Sequence, residues 1–315
     1  MTTTATTLDA PAPVAALPPA LSGERRELAA EHTGALSWYQ DRPTALAAPA
    51  RPLLLIHSVN AAGSAYEVKP LYDHYRRERP VYAMELPGFG HSERSRRPYA
   101  PRLMTDAVLA VVEQVRAQCA GQAVDAIALS LSSEFLARAA SEAPTAFRSL
   151  GLVSPTGFNR RALRTGAPGA TLGKPWVYRL IGGPKLGRWL YERLTRRNVI
   201  RYFLRRTWGS AAIDEGLLDY DVVLTAQAGA EHAPLRFLSG FLFSGDSGTV
   251  YRSLRQPVWV AHGVRGDFVN YTGLHNFAGA SNWKTEVMPT GALPHFELLA
   301  DFVQRYDAWS ASLRG

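Results

Sequence analysis

The chain has a single cysteine, Cys119, among 315 residues, which excludes a disulfide framework and any metal site built from several thiolates. It has no apolar run near the twenty or so residues that a bilayer-spanning helix needs. Its start, MTTTATTLDAPAPVAALPPALSGERREL, lacks a basic stretch followed by a continuous apolar one, and its prolines interrupt any long helix. Residues 1–22 are therefore expected to form a disordered tail, and the protein to be soluble and cytoplasmic. No internal repeat, HExxH, paired Cys/His cluster, phosphate-binding glycine loop or GxGxxG is present, so neither a metal nor an organic cofactor is expected.

What is there in quantity is apolar side chain and unevenly placed charge. Hydrophobic residues make up 46% of the sequence, enough to bury a large core in one enlarged domain or two small ones. The net charge is +8. Between Phe158 and Ser210 thirteen Arg and Lys stand against one acid, Glu192, leaving 22 basic against 26 acidic residues elsewhere. Basicity confined to one segment argues for a specific basic surface and against a nucleic-acid packager, which would be basic throughout.

Short apolar runs of buried-strand type occur at PLLLIH (52–57), PVYAMEL (80–86), VDAIAL (124–129), 149–153, PVWVAH (257–262) and WKTEVM (283–288), with a plausible first strand at 36–40. Helical spacing lies between them at 64–77, 101–118 and from Glu134 onward, and 296–313 closes the chain. Strand alternating with helix predicts a mostly parallel, doubly wound α/β sheet whose ligands bind at the carboxyl ends of the strands. The alternation is broken between Ser154 and Gln256 by about a hundred residues of helical character. An insertion there leaves and rejoins the sheet at its carboxyl edge, so residues 157–250 are expected to form a helical lid, with 23–156 and 251–315 as the core.

One stretch carries chemistry. In VDAIALSLSSEFLA a strand runs into Ser130 and a helix begins at once, and the small residues Ala128 and Ser132 flank the turn that such a reversal requires. This resembles the nucleophile elbow of the α/β-hydrolases, usually GxSxG, with both glycines replaced. ELPGFGHS (85–92) resembles that family's DLPGFGxS segment, with Glu85 for the aspartate and a structural role for Glu85 and His91. HSVNAAG (57–63) matches the position of its His-Gly-x turn, with Ser58 for the glycine. The resemblance implies the chain order Ser, acid, His. It places Asp267 of HGVRGDFVN as the acid, His295 of PTGALPHFELLADF as the base, and the backbone N–H groups of Leu131 and Val59 as the oxyanion hole. On the residues alone, Asp267 reads equally well as a turn residue, and His57 as a structural histidine.

A serine so placed and activated would attack a carbonyl and pass through an acyl-enzyme. The expected function is cleavage of an ester, lactone or thioester bond of a small molecule with a hydrophobic acyl or aryl group. Acyl transfer, carbon–carbon bond hydrolysis and a non-catalytic ligand-binding role on the same fold stay open. Serine at the elbow disfavours the aspartate-nucleophile relatives. In the insertion, Leu186, Trp189, Leu190, Leu194, Phe203 and Leu204 recur at roughly helical spacing with arginines between them. The arginines read most simply as a solvated face. The sharper alternatives are a weak contact with anionic membrane or an anionic group on the substrate. No nucleic-acid partner is expected.

Overall fold

The computed structural model describes residues 16–43 and 50–313. Eight strands form one sheet: β1 (Glu24–Ala30), β2 (Gly34–Asp41), β3 (Leu53–Ile56), β4 (Val81–Glu85), β5 (Val124–Leu129), β6 (Phe147–Val153), β7 (Val258–His262) and β8 (Trp283–Val287). Their order is β1-β2-β4-β3-β5-β6-β7-β8. β1 and β2 pair antiparallel at one edge and β3 to β8 run parallel. The parallel strands β3 to β7 are almost wholly buried, as continuous Val, Leu, Ile and Ala runs require when helices cover both faces.

Helices α1 (Lys69–Tyr75), α2 (Pro101–Gln118) and α3 (Ser132–Glu142) connect the strands from β3 to β6. Between β6 and β7 lie α4 (Pro175–Ile181), α5 (Pro184–Leu194), α6 (Arg197–Trp208), α7 (Glu215–Thr225), α8 (His232–Leu238) and α9 (Ser247–Ser253), and α10 (Pro294–Glu297) and α11 (Leu299–Ser312) close the chain. The chain leaves β3 through α1 to one neighbour and returns through α2 to β5 on the other side. The direction of winding thus reverses between β3 and β5, the crevice where open α/β sheets bind ligands.

Two buried polar clusters pin β5 and the loop after β4. Asp125, fully buried, accepts from Arg148 Nε at 2.6 Å, from Ser149 Oγ at 2.5 Å and from Arg79. Burial alone would raise its pKa, but these three donors hold it below the usual carboxylate range. In the ELPGFGHS segment Glu85 accepts from the His91 N–H at 2.7 Å, and Ser92 Oγ donates to the Glu85 carbonyl at 2.6 Å. A Cβ on Gly90, which has φ +53°, would stand 2.1 Å from the Glu85 carboxyl carbon, so glycine is required there. The structural role expected for Glu85 and His91 agrees with these bonds.

The expected tail, residues 1–22, falls partly outside the described residues. Part of the described stretch, however, is tied to the core. Ala20 and Leu21 are buried, Ala20 N–H donates to Tyr39 Oη at 2.9 Å, and Tyr220 Oη donates to the Pro18 carbonyl at 3.0 Å. Apolar side chains in a proline-rich stretch were enough to dock it. β1, whose side chains are mostly exposed, has too polar a composition to announce itself as a strand.

Candidate active site

Ser130 sits between the last residue of β5 and the first turn of α3 with φ +50°, a left-handed conformation that costs a serine on the order of 1–3 kcal/mol. The turn is tied from both sides. Ser130 N–H donates to the Val153 carbonyl at 2.8 Å, and the Ser130 carbonyl accepts from Ser133 and Thr156 N–H. The replaced glycines have a structural reason. Ser132, fully buried, donates from Oγ to the His57 carbonyl at 2.5 Å, stitching the elbow to the end of β3. Ala128, also buried, leaves no bulk beneath the serine. Ser130 itself is half-buried, and its hydroxyl makes no hydrogen bond among the described residues.

The loop after β3 is held by a residue that sequence reasoning missed. Glu67, buried, accepts from Ser58 N–H at 2.6 Å, Ser58 Oγ at 3.1 Å and Asn60 Nδ2 at 2.6 Å, and Asn60 in turn accepts from Ala62 N–H at 2.6 Å. Ser58, where the family has glycine, is therefore one end of a carboxylate clamp. The N–H groups of Val59 and Leu131, the expected oxyanion donors, enter no hydrogen bond with backbone acceptors among the described residues. His57 accepts from Leu86 N–H through Nε2 at 3.0 Å, so its Nδ1 is the donor to the Ser58 carbonyl at 2.6 Å. Both ring nitrogens are used, and burial lowers its pKa. It is a structural histidine.

The expected base and acid are not joined to Ser130 or to each other by hydrogen bonds. His295 is fully buried in α10. Its Nε2 bonds the Glu67 carbonyl at 2.8 Å, its Nδ1 has no partner, and its ring lies against Phe296 and Phe302 at 5.2 and 5.8 Å between centroids. Burial lowers its pKa to about 4, so the ring is neutral at pH 7. Asp267 is on the surface, in a bidentate ion pair with Arg206. The physical reason is the position of α6. Asp267 N–H donates to the Arg206 carbonyl at 3.1 Å, and Ala292 N–H to the Thr207 carbonyl at 2.9 Å. A Cβ on Gly266, at φ +83°, would meet that Arg206 carbonyl at 2.3 Å. The last turn of α6 is thus wedged against both the loop carrying Asp267 and the loop leading to His295, and its arginine takes the carboxylate.

Two further buried acids were not foreseen. Glu134 in α3 accepts from Thr156 Oγ1 at 2.6 Å, Ser244 N–H at 2.9 Å and Arg164 at 3.1 Å, binding both ends of the β6–β7 insertion to the helix behind Ser130. Burial raises its pKa. Asp221 in α7 is buried with Oδ1 unpartnered, and its pKa is raised well above the usual range by burial and then by the charge of Glu67. The run LLDYDVVLT carries two aspartates, of which Asp219 is exposed and Asp221 buried, and the available signal was that Asp221 falls on the apolar face of the helix. The insertion also reaches the β3 loop directly, through Tyr191 Oη donating to the Ala61 carbonyl at 2.8 Å.

Residues 51–177 match the family model described as alpha/beta hydrolase fold. The fold is that of the α/β-hydrolases. Solved structures of this fold resemble the chain over most of its length. A serine hydrolase involved in carbazole degradation shares 14% identity, covers 92% of this chain and 100% of its own, and superposes with a TM-score of 0.69. An esterase from Thermogutta terrifontis shares 16%, covers 93% and 100%, with a TM-score of 0.66. A probable hydrolytic enzyme from Pseudomonas aeruginosa PAO1 shares 15%, covers 91% and 94%, with a TM-score of 0.67. No curated protein matches the sequence.

Proposed function

We propose that this α/β-hydrolase-fold protein is a serine hydrolase that cleaves an ester-type bond, whether ester, lactone or thioester, of a small hydrophobic substrate through an acyl-enzyme on Ser130. The observation that carries the reading is the elbow. A serine is held at φ +50° where β5 meets α3 at the switch-point edge of the sheet, with its hydroxyl in no hydrogen bond among the described residues, and this strained placement supports a nucleophile. Ser130 Oγ attacks the carbonyl, and the Leu131 and Val59 N–H groups receive the oxyanion, each worth on the order of a hundredfold or more in rate. His295 takes the serine proton after its imidazole leaves the Glu67 carbonyl, Asp267 holds the imidazolium after release from Arg206, and the imidazolium gives the proton to the departing alcohol or thiol as its bond to the acyl carbon breaks. Water then frees the acyl group. The helices between β6 and β7 act as a lid over the site.

The arrangement of His295 and Asp267 favours a second reading, a ligand-binding protein that keeps the fold and the elbow without turnover. Initial rates on a chain-length series of p-nitrophenyl esters and acyl thioesters, for the wild type and Ser130→Ala, separate the two. Hydrolysis that Ser130→Ala abolishes supports the enzyme; equal residual rates in both proteins support the binder.

A further inference from the structure

Helices α4, α5 and α6 turn large apolar side chains outward. Trp176 is 63% exposed, Leu180 60%, Trp189 52% and Phe203 52%, large apolar side chains left in solvent on three successive helices. Between Lys174 and Arg206 the sequence carries ten Arg and Lys and one acid. Four of these cations are paired: Arg188 with Glu192 and Glu231, Arg197 with Asp219, Arg201 with Glu215, and Arg206 with Asp267. Lys174, Arg179, Lys185, Arg193, Arg196 and Arg205 have no carboxylate partner among the described residues.

The apolar and cationic groups are interleaved. The Arg193 guanidinium lies 5.1 Å from the centre of the Trp189 ring. Arg197, Arg201 and Arg205, four residues apart and so on one face of α6, line an open groove of about 600 Å³ together with Asn198 and Tyr202.

We propose that this face docks the protein on the surface of an anionic phospholipid bilayer. Aromatic and aliphatic side chains enter the boundary between headgroups and acyl chains, and the unpaired cations meet lipid phosphates. Each half of the pattern alone would suit another partner. The phosphate backbone of a nucleic acid satisfies cations but offers little to Leu180 or Phe203. A second copy of this face would bury the apolar groups but bring two positively charged surfaces together. A bilayer carrying negative headgroups takes both halves at once. Docking is peripheral, since no described helix is long and apolar enough to cross a membrane. It stands independently of the chemistry at Ser130, although α6 is also the helix bonded to the loops carrying Asp267 and His295.

The test is co-sedimentation of the full chain with vesicles of phosphatidylcholine, alone or mixed with phosphatidylglycerol, at low and physiological ionic strength, with tryptophan emission followed in parallel. The expected result is binding to the anionic vesicles that salt weakens, with a blue shift of emission. Arg179→Glu/Arg193→Glu/Arg196→Glu weakens it at least about a hundredfold, at roughly fivefold per charge, and Trp176→Ser/Trp189→Ser/Phe203→Ser removes the blue shift. All substituted positions are exposed, and an unchanged thermal midpoint verifies folding. Equal binding to neutral vesicles, no binding at low salt, binding unaltered in folded variants, or displacement from vesicles by an equal mass of duplex DNA would each overturn the proposal.

Discussion

Acidification should weaken this fold through one imidazole. His295 is neutral and buried, with a pKa of about 4, while a histidine in the unfolded chain titrates near about 6.5. Between these values the unfolded state holds a proton that the folded state refuses. The stability is therefore complete above the unfolded value and is lost as pH falls toward the folded one. The linkage relation gives a loss of about 2 kcal/mol between pH 7 and pH 5, growing to about 3 kcal/mol near pH 4. His57 and His262 are depressed by burial in the same direction, so wild type alone does not isolate the effect. His295→Gln does, because a glutamine amide can still donate to the Glu67 carbonyl but has no proton to gain. Urea unfolding of both proteins at several pH values should show the wild type losing about 2 kcal/mol more than the variant from pH 7 to pH 5. Parallel slopes would refute the reasoning, because they would mean that the ring is solvated in the folded protein.

Other substitutions probe the remaining parts of the account. Arg206→Ala breaks an exposed ion pair, so stability should change by no more than about 1 kcal/mol, while ester turnover should rise as Asp267 is freed; an unchanged rate in steady-state kinetics contradicts the role given to Asp267. Glu134→Ala leaves Arg164 without its carboxylate and two further donors, Thr156 Oγ1 and Ser244 N–H, without their acceptor, and should cost about 3–5 kcal/mol in denaturant titration; a loss below about 1 kcal/mol would show that the insertion is not bolted to α3 through this residue. Asp221 holds its proton in the folded state above the pH at which the unfolded chain loses it, so its contribution becomes unfavourable as pH rises through that window and stays so above it. Asp221→Asn should therefore match wild type near pH 4 and be more stable at pH 8, as read from thermal midpoints.

The parallel sheet was legible because strands buried on both faces must be almost continuously apolar, and 53–56, 81–85, 124–129 and 258–262 are so but for Glu85, Asp125 and His262. Ser130 was legible because a strand-to-helix reversal restricts its flanks to small residues. β1 was not, since an edge strand with exposed side chains shows no apolar alternation. The bonding of Asp267 and His295 was not legible either. Order along the chain places a loop at the correct edge of the sheet, but the neighbour that claims its carboxylate is Arg206, on an insertion whose path no local pattern reveals. Glu67 acts through three short bonds to a loop seven to nine residues away, and a buried glutamate looks the same in sequence as an exposed one.

The strained serine of the elbow is the nucleophile of the proposed reaction. A fluorophosphonate probe incubated with the full chain at neutral pH, followed by peptide mass mapping, tests it most directly. The expected result is one phosphonyl adduct, on Ser130, that is absent from Ser130→Ala. An unlabelled wild-type protein of normal thermal midpoint, or an adduct on another serine that survives the substitution, would contradict it.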